Sequence, residues 1–372
     1  MARRVFLHIG APKTGTTFLQ TVMWHNKSVF ADQGMLYPGA KRMDHYHASR
    51  VVRGVPATRL GQDAGSWDLL VEELAAWPYD GLVSHEFFSM ATASQARAAV
   101  ERLAPAEVHV VLTARDYVRQ FPAVWQEALK MNSDLSLDEF MDRALRFDLS
   151  GAWGWSSQDI VAVLDRWSGA VVAEHVHLVT VPRPGAPRDL LWQRWCEVLG
   201  LDAATFDLDV AFGNESLGAA QVALLHRVKP YLSGPLGTGP ERHRWFRQYF
   251  GHEVLVPQAG ERFGLRTQQA EKLRELSEAA VKVIETAGYH VTGDLAELVP
   301  DLDERASPHP DDIPDAVLVD VAARAIEQMI GDVRALTLER NRWRRRAKST
   351  SAVRRGAGRA RRLAGRISRR TP

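Results

Sequence analysis

The chain has 372 residues, 45% apolar and 25% charged, an ordinary balance for a globular protein with a sizeable core. Its single cysteine, Cys196, excludes an intramolecular disulfide and a cysteine-built zinc cluster. The net charge of +2 hides a division: 14 of the 47 Lys and Arg lie between Arg340 and Pro372, where there is no acid, and the other 33 face 45 Asp and Glu.

The start, MARRVFLHIG, is too short an apolar run for a secretory leader, because Gly10 and Pro12 stop it. No segment approaches the ~20 apolar residues that span a bilayer, so a cytoplasmic protein is expected, with membrane contact only from outside. Residues 4–9 (RVFLHI) predict a short buried strand and TTFLQTVMWHN from Thr16 a helix, joined by a tight loop. GLVSHE (81–86), VHVVLTA (108–114) and VHLVTV (176–181) predict further strands, with helical SQARAAVERLA and IVAVLDRW between them. Alternating strands and helices predict an α/β fold: a central parallel sheet of P-loop-like type flanked by helices. From about 190 to 300 the three- and four-residue apolar spacing predicts a helix-rich second half.

One domain is expected over 1–305, then a Pro- and Asp-rich linker at 306–314 (ASPHPDDIP with its first residue) and an amphipathic helix over 315–338. Val319, Ala322, Ile326, Met329, Val333 and Leu336 form its stripe, which predicts docking on the body or, less favoured, self-association through 319–336. The basic segment 339–372 has few apolar residues and three glycines, and is expected to be disordered and drawn to anionic membrane surfaces, with nucleic acid as the other candidate partner.

The sharpest signal is the loop Gly10-Ala-Pro-Lys13-Thr14-Gly15-Thr16-Thr17. A strand–loop–helix junction offers unpaired N–H groups and the positive end of a helix dipole to an anion. Gly15 permits the turn, Thr14, Thr16 and Thr17 offer hydroxyls, and Lys13 a full charge. The spacing is that of GxxxxGK[ST], but Thr16 stands where that motif has lysine, and Arg115 rather than an acid follows VHVVLTA. That argues for an anion site without metal rather than Mg-ATP chemistry.

PKTGTT after a first strand resembles the 5′-phosphosulfate loop of sulfotransferases, and VVLTARDYVRQFPAVWQE resembles their second signature, in which an arginine holds the donor's 3′-phosphate. Arg115 matches that arginine. The family usually has serine eight residues later, where this chain has Ala123, and Arg119 is the candidate to compensate. The resemblance covers roughly residues 4 to 300; NESLG (214–218) and TGDLAELVP (292–300) are similar to stretches of bacterial members of the broad carbohydrate-type branch. It implies 3′-phosphoadenosine 5′-phosphosulfate as donor and a hydroxyl or amine of a carbohydrate, glycolipid or small molecule as acceptor. A P-loop-type nucleotide kinase or triphosphatase stays open, as does a tail-driven membrane- or nucleic-acid-binding protein with a vestigial loop.

Sulfuryl transfer needs leaving-group stabilisation, which suits Lys13, and a base for the acceptor's proton. Glu86 is the first candidate, at the carboxyl end of a predicted strand, with His85 its rival and expected on the opposite face by strand alternation. His45 and His47 form a second rival pair in a predicted solvated loop; their H-x-H spacing has no matching cluster, so no metal is expected. Trp153 and Trp155, in SGAWGWSS, are candidate acceptor contacts or plain core.

Overall fold

The computed structural model describes residues 1–367 except 132, 211–215, 233, 235 and 303–306, and from 346 onward the backbone alone. Asn214 and Glu215 of NESLG and the first linker residue therefore lie outside the described residues, as do the last residues of the basic segment.

Six strands form one all-parallel sheet: β1 (Arg4–Gly10), β2 (Met35–Leu36), β3 (Asp80–Ser84), β4 (Glu107–Ala114), β5 (Val176–Thr180) and β6 (His290–Thr292), in the order β2-β3-β1-β4-β5-β6. Helices cover both faces, so the central strands are nearly continuous apolar runs. Val5, Leu7 and Ile9 of β1 enter one core with Val83, Val110 and Leu112. Phe6 enters the other with Leu82, Val111, Val179, Trp192 and Trp195. Each such large buried side chain stabilises by roughly 1.5–3 kcal/mol. The chain leaves β1 towards the β2 edge, returns to β3, then crosses β1 to reach β4. The order reverses at β1, and ligands in open α/β sheets collect beyond the strand ends at such a point.

Helix α1 (Thr16–His25) lies on the second core through Leu19, Val22 and Met23, and Asn26 closes it with bonds to the Val22 and Asp207 carbonyls. Helix α2 (Asp44–Val52) follows β2, and α3 (Tyr117–Met131) follows β4. The second half is helical as expected: α4 (Leu190–Leu199), α5 (Ala219–Leu232), a 14-residue π-helical run Arg242–Leu255, and α6 (Thr267–Thr286). The edge strands β2 and β6, of two and three residues, were not expected; pieces so short carry no period-2 pattern to find.

The segment after 306 does not hang free. His309 and Pro310 are buried, Gly264 N–H donates to the Pro308 carbonyl at 3.2 Å, and a 3₁₀ turn Pro310–Asp312 leads into α7 (Asp315–Ile367). Helix α7 docks on the body, using only Ala322 and Met329 of the anticipated stripe. Leu318, Val321 and Ala325 are buried, whereas Val319, Ile326, Val333 and Leu336 are exposed. Tyr249 and Asp332 (2.9 Å), and Gln328 with the Glu253 carbonyl (2.8 Å), hold the contact. The helix does not stop at 338; Ala, Arg and Leu, strong helix formers, carry its backbone to Ile367. Among the described residues no helix is long and apolar enough to cross a membrane.

Candidate functional site

β1 ends hard against the segment after β3. Gly10 has φ +120°, and a Cβ there would lie 2.6 Å from the Glu86 carbonyl oxygen, so no side chain fits. Lys13 (φ 68°) and Gly15 (φ 85°) then turn the chain into α1. No side chain caps α1 and its first turn holds no acid, so no residue of that turn offsets its positive end. Thr17 is exposed on that turn, whereas Thr16 is buried.

Thr14 departs from expectation. Its hydroxyl is buried, donating to the Ala11 carbonyl (2.5 Å) and meeting the Thr113 hydroxyl at 2.6 Å. Thr113 donates to the Gly10 carbonyl and contacts His8 Nε2 at 3.3 Å, and His8 Nδ1 meets Ser84 at 2.7 Å. The buried carbonyls at the end of β1 need donors, and Thr14 supplies one instead of facing the loop's outer side. Burial brings His8 down to about 4, so it is neutral in this ladder.

Lys13 directs its ammonium to Glu127 of α3, Nζ to Oε2 at 2.9 Å, and Arg247 of the π-helical run binds the other oxygen at 2.8–2.9 Å. Burial opposes ionisation of Glu127, but Lys13, Arg247 and Lys130 outweigh it and hold the carboxyl at about 2.

Arg115, half-buried beyond β4, donates from Nη1 to the Lys13 carbonyl at 3.4 Å, so both sequence signatures meet in space. Burial, with Arg119 and Arg262 nearby, lowers it to about 10, still charged at neutral pH. Asp116 caps α3 through the Arg119 N–H (2.9 Å) and also accepts from Arg119 Nε. Arg119 Nη1 donates to the Pro182 carbonyl at 3.2 Å. Arg119 is thus committed through Nε and Nη1, which leaves Nη2. Buried Arg115 Nε and Arg119 Nη2 have no hydrogen-bond partner among the described residues. Leaving such donors unsatisfied costs roughly 1–3 kcal/mol each, and an anion held between them would recover it.

Glu86 opens a 3₁₀ turn, Glu86–Met90, directly after His85. Its Oε2 accepts from Gln20 Nε2 of α1 at 2.9 Å, which sets the carboxylate beside the loop and helix of the anion site. His85 Nε2 lies 3.8 Å from the same oxygen. The two side chains therefore share one side: period-2 alternation ends with β3 at Ser84, and the turn brings them together. Burial raises the Glu86 carboxyl, but His85 and Gln20 prevail and it sits below the ordinary range, while burial lowers His85. The pair reads as carboxylate beside neutral imidazole.

His45 and His47 lie on α2, not in a loop. His45 is buried, its Nε2 on the Pro38 carbonyl (2.9 Å) and its Nδ1 accepting from Ser84 N–H (3.2 Å), a structural role. His47 Nδ1 lies 3.3 Å from Asp63. Trp155 is core, its indole N–H on the Ala144 carbonyl. Trp153 stays partly exposed, its ring 5.7 Å from Phe87, which with Tyr46 borders His85.

Sequence reasoning missed Glu127, Arg247 and Gln120. Buried Gln120 donates to the Pro12 carbonyl at 3.2 Å and so fixes the loop to α3. One signal was available: Gln120 and Glu127 are seven residues apart, two turns along one face, in the quoted segment after Arg115. A 460 Å³ cavity walled by Trp125, Asp138, Arg266 and Leu318 lies elsewhere, beneath the start of α7, and none of the loop residues line it. Its charged walls, Asp138 and Arg266, already pair at 2.6 Å.

No protein-family model matches the chain, and no curated protein matches it in sequence. Among solved structures it is similar to a sulfotransferase from Alicyclobacillus acidocaldarius, at 13% identity and a TM-score of 0.38, over 66% of this chain and 96% of that one.

Proposed function

We propose that the chain is a sulfotransferase taking its sulfuryl group from 3′-phosphoadenosine 5′-phosphosulfate. The observation that carries this reading is the convergence, at the switch point of the sheet, of an uncapped helix start, Lys13, and the unpartnered N–H groups of Arg115 and Arg119. The 5′-phosphosulfate lies at the α1 start with Lys13, Gly15, Thr16 and Thr17, and Arg115 with Arg119 Nη2 takes the 3′-phosphate. Thr14 supports the loop from beneath. An ammonium has three N–H donors, so Lys13 keeps two beyond Glu127 for the bridging oxygen.

In the transfer the acceptor oxygen (or nitrogen) attacks sulfur, the sulfur–oxygen bond to the phosphate breaks, and its electron pair stays on the phosphate. Lys13 and the helix start stabilise that charge. The acceptor's proton passes to Glu86, ionised at neutral pH and beside the loop. The partly exposed rings of Tyr46, Phe87 and Trp153 next to this carboxylate favour a carbohydrate or glycolipid acceptor, since aromatic faces suit sugar rings. The basic segment holds the enzyme against an anionic membrane face.

Calorimetric titration with adenosine 3′,5′-bisphosphate, alongside ATP with Mg²⁺, tests the donor. Tight metal-independent binding of the bisphosphate is expected. Preference for Mg-ATP would move the protein to the kinases.

A further inference from the structure

At the opposite end of the sheet, a second constellation has no part in the site above. β4 opens Glu107-Val-His109, and His175, at the end of the turn before β5, is followed by Val176 and His177 at the start of β5. The strands are parallel, with Val110 beside Val176, so His109 falls beside His175. Residues two apart share a face of a strand, which puts Glu107, His109, His175 and His177 on one face.

We propose that Glu107, His109 and His175 form a binding site for a divalent transition metal of the zinc class. One ligand atom from each residue lies within 4.8 Å of the others. His109 Nε2 is 2.8 Å from Glu107 Oε1, and His175 Nε2 is 3.8 Å from Oε2. A tetrahedral ion with bonds of ~2.1 Å separates its ligand atoms by ~3.4 Å. The observed spacings bracket that value, so small side-chain movements admit the ion. Two imidazoles and a carboxylate leave one position for water.

The surroundings supply what such a site needs beyond its ligands. With Nε2 on the metal, His109 carries its proton on Nδ1, and His177 Nε2 stands 2.9 Å away to accept it. That outer contact fixes the tautomer and orientation of the ligand. Glu107 is exposed, which gives an entry path. The nearby cation, Arg4, is bound to Asp80 at 2.5 Å and 3.1 Å. A second carboxylate–histidine group among the described residues, Asp138, His309 and Asp311, lacks this freedom because Arg266 and Gln269 occupy Asp138.

An ion here ties the turn carrying His175 to β4, roughly 20 Å from the anion loop by the length of β4. Its effect is stability rather than chemistry. The test uses the full, untagged chain stripped of metal and titrated with Co²⁺ (visible absorption) and with Zn²⁺ against a chromophoric chelator. One equivalent is expected, with Co²⁺ bands of four- or five-fold coordination and a Zn²⁺-dependent rise in Tm. His175→Ala and Glu107→Gln, both near the surface, should each weaken Zn²⁺ binding at least 10-fold and abolish the rise. Asp311→Asn should leave both unchanged. Wild-type affinity in both site variants, loss of the equivalent in Asp311→Asn, or no stoichiometric binding would each overturn the proposal.

Discussion

Glu127 is the pivot on which Lys13 rests, and Glu127→Gln isolates what that carboxylate contributes. Lowering a carboxyl from 4.5 to about 2 corresponds to about 3 kcal/mol of stability at neutral pH. The folded pKa lies below the unfolded one, so this contribution is complete above the unfolded value and is lost as pH falls towards the folded one. The gap between wild type and Glu127→Gln should therefore be about 3 kcal/mol at pH 7, shrinking by about 1 kcal/mol at pH 4 and about 2 kcal/mol at pH 3. Buried His8 and His45 and half-buried His177, lowered to about 4, 3 and 4, also destabilise the fold in acid, because the unfolded chain takes up their protons first. Both proteins carry them, so the difference cancels them. Urea unfolding of both proteins across this pH range gives the gap. A gap below about 1 kcal/mol at pH 7, or one independent of pH, would refute the account of Glu127 as a carboxylate held ionised by Lys13 and Arg247.

Arg115→Ala should weaken adenosine 3′,5′-bisphosphate at least 10-fold more than its 3′-dephospho form in calorimetry; equal losses would remove Arg115 from the 3′-phosphate. Glu86→Gln should lower turnover roughly 10²-fold or more with the bisphosphate affinity nearly intact, and His85→Asn less; the reverse order, with chemistry rate-limiting, would hand the proton to His85. Truncation after Leu338 should leave donor affinity and Tm nearly unchanged and reduce binding to anionic vesicles, most at low salt; undiminished vesicle binding would rule out the basic segment as the anchor. If α7 pairs with a second copy through exposed Ile326, Ile330 and Val333, Ile330→Glu should convert a dimer to a monomer in light scattering, and a monomeric wild type would end that idea.

The sheet was legible because its central strands are short β-branched runs between turn signals, and the anion loop because a lysine and two glycines sit at fixed places between a strand and a helix. The errors share a cause: each assumed that a local period continues. Alternation was carried one residue past Ser84, which put His85 and Glu86 on opposite faces, and a 3₁₀ turn cancels it. The stripe on α7 was real, but which of two apolar faces meets the body depends on Tyr249 and Glu253, some 80 residues away in sequence. His45 looked like a loop histidine because KRMDHYHAS has no helical run of its own; its burial comes from the Pro38 and Ser84 backbone. The H-x-H worth noting lay at 175 and 177, beside E-x-H at 107 and 109, and neither means anything until the strands pair.

The division between satisfied and unsatisfied polar groups supports the proposed anion position more sharply than any motif. Beneath the loop, His8, Ser84, Thr113 and Thr14 form a ladder that meets the carbonyls of Gly10 and Ala11, while Gln120 holds that of Pro12 and Arg115 that of Lys13. Four successive carbonyls are thus bound from the protein side, which leaves the loop little freedom to collapse. On the outer side the balance is reversed: an uncapped helix start, spare donors on Lys13, and two buried guanidinium N–H groups without partners. A protein that merely closed a strand–helix turn would gain from an acid in the first turn of α1 and from acceptors for those arginines. Their absence among the described contacts, beside a loop fixed so completely from below, is the arrangement expected where the acceptor comes with the ligand. Supplying one from the protein should therefore block the site: Thr17→Asp, placed on the exposed first turn, should raise Tm slightly through the helix dipole and weaken bisphosphate binding at least 10-fold. A variant that gained stability yet bound the nucleotide as before would show that the anion lies elsewhere.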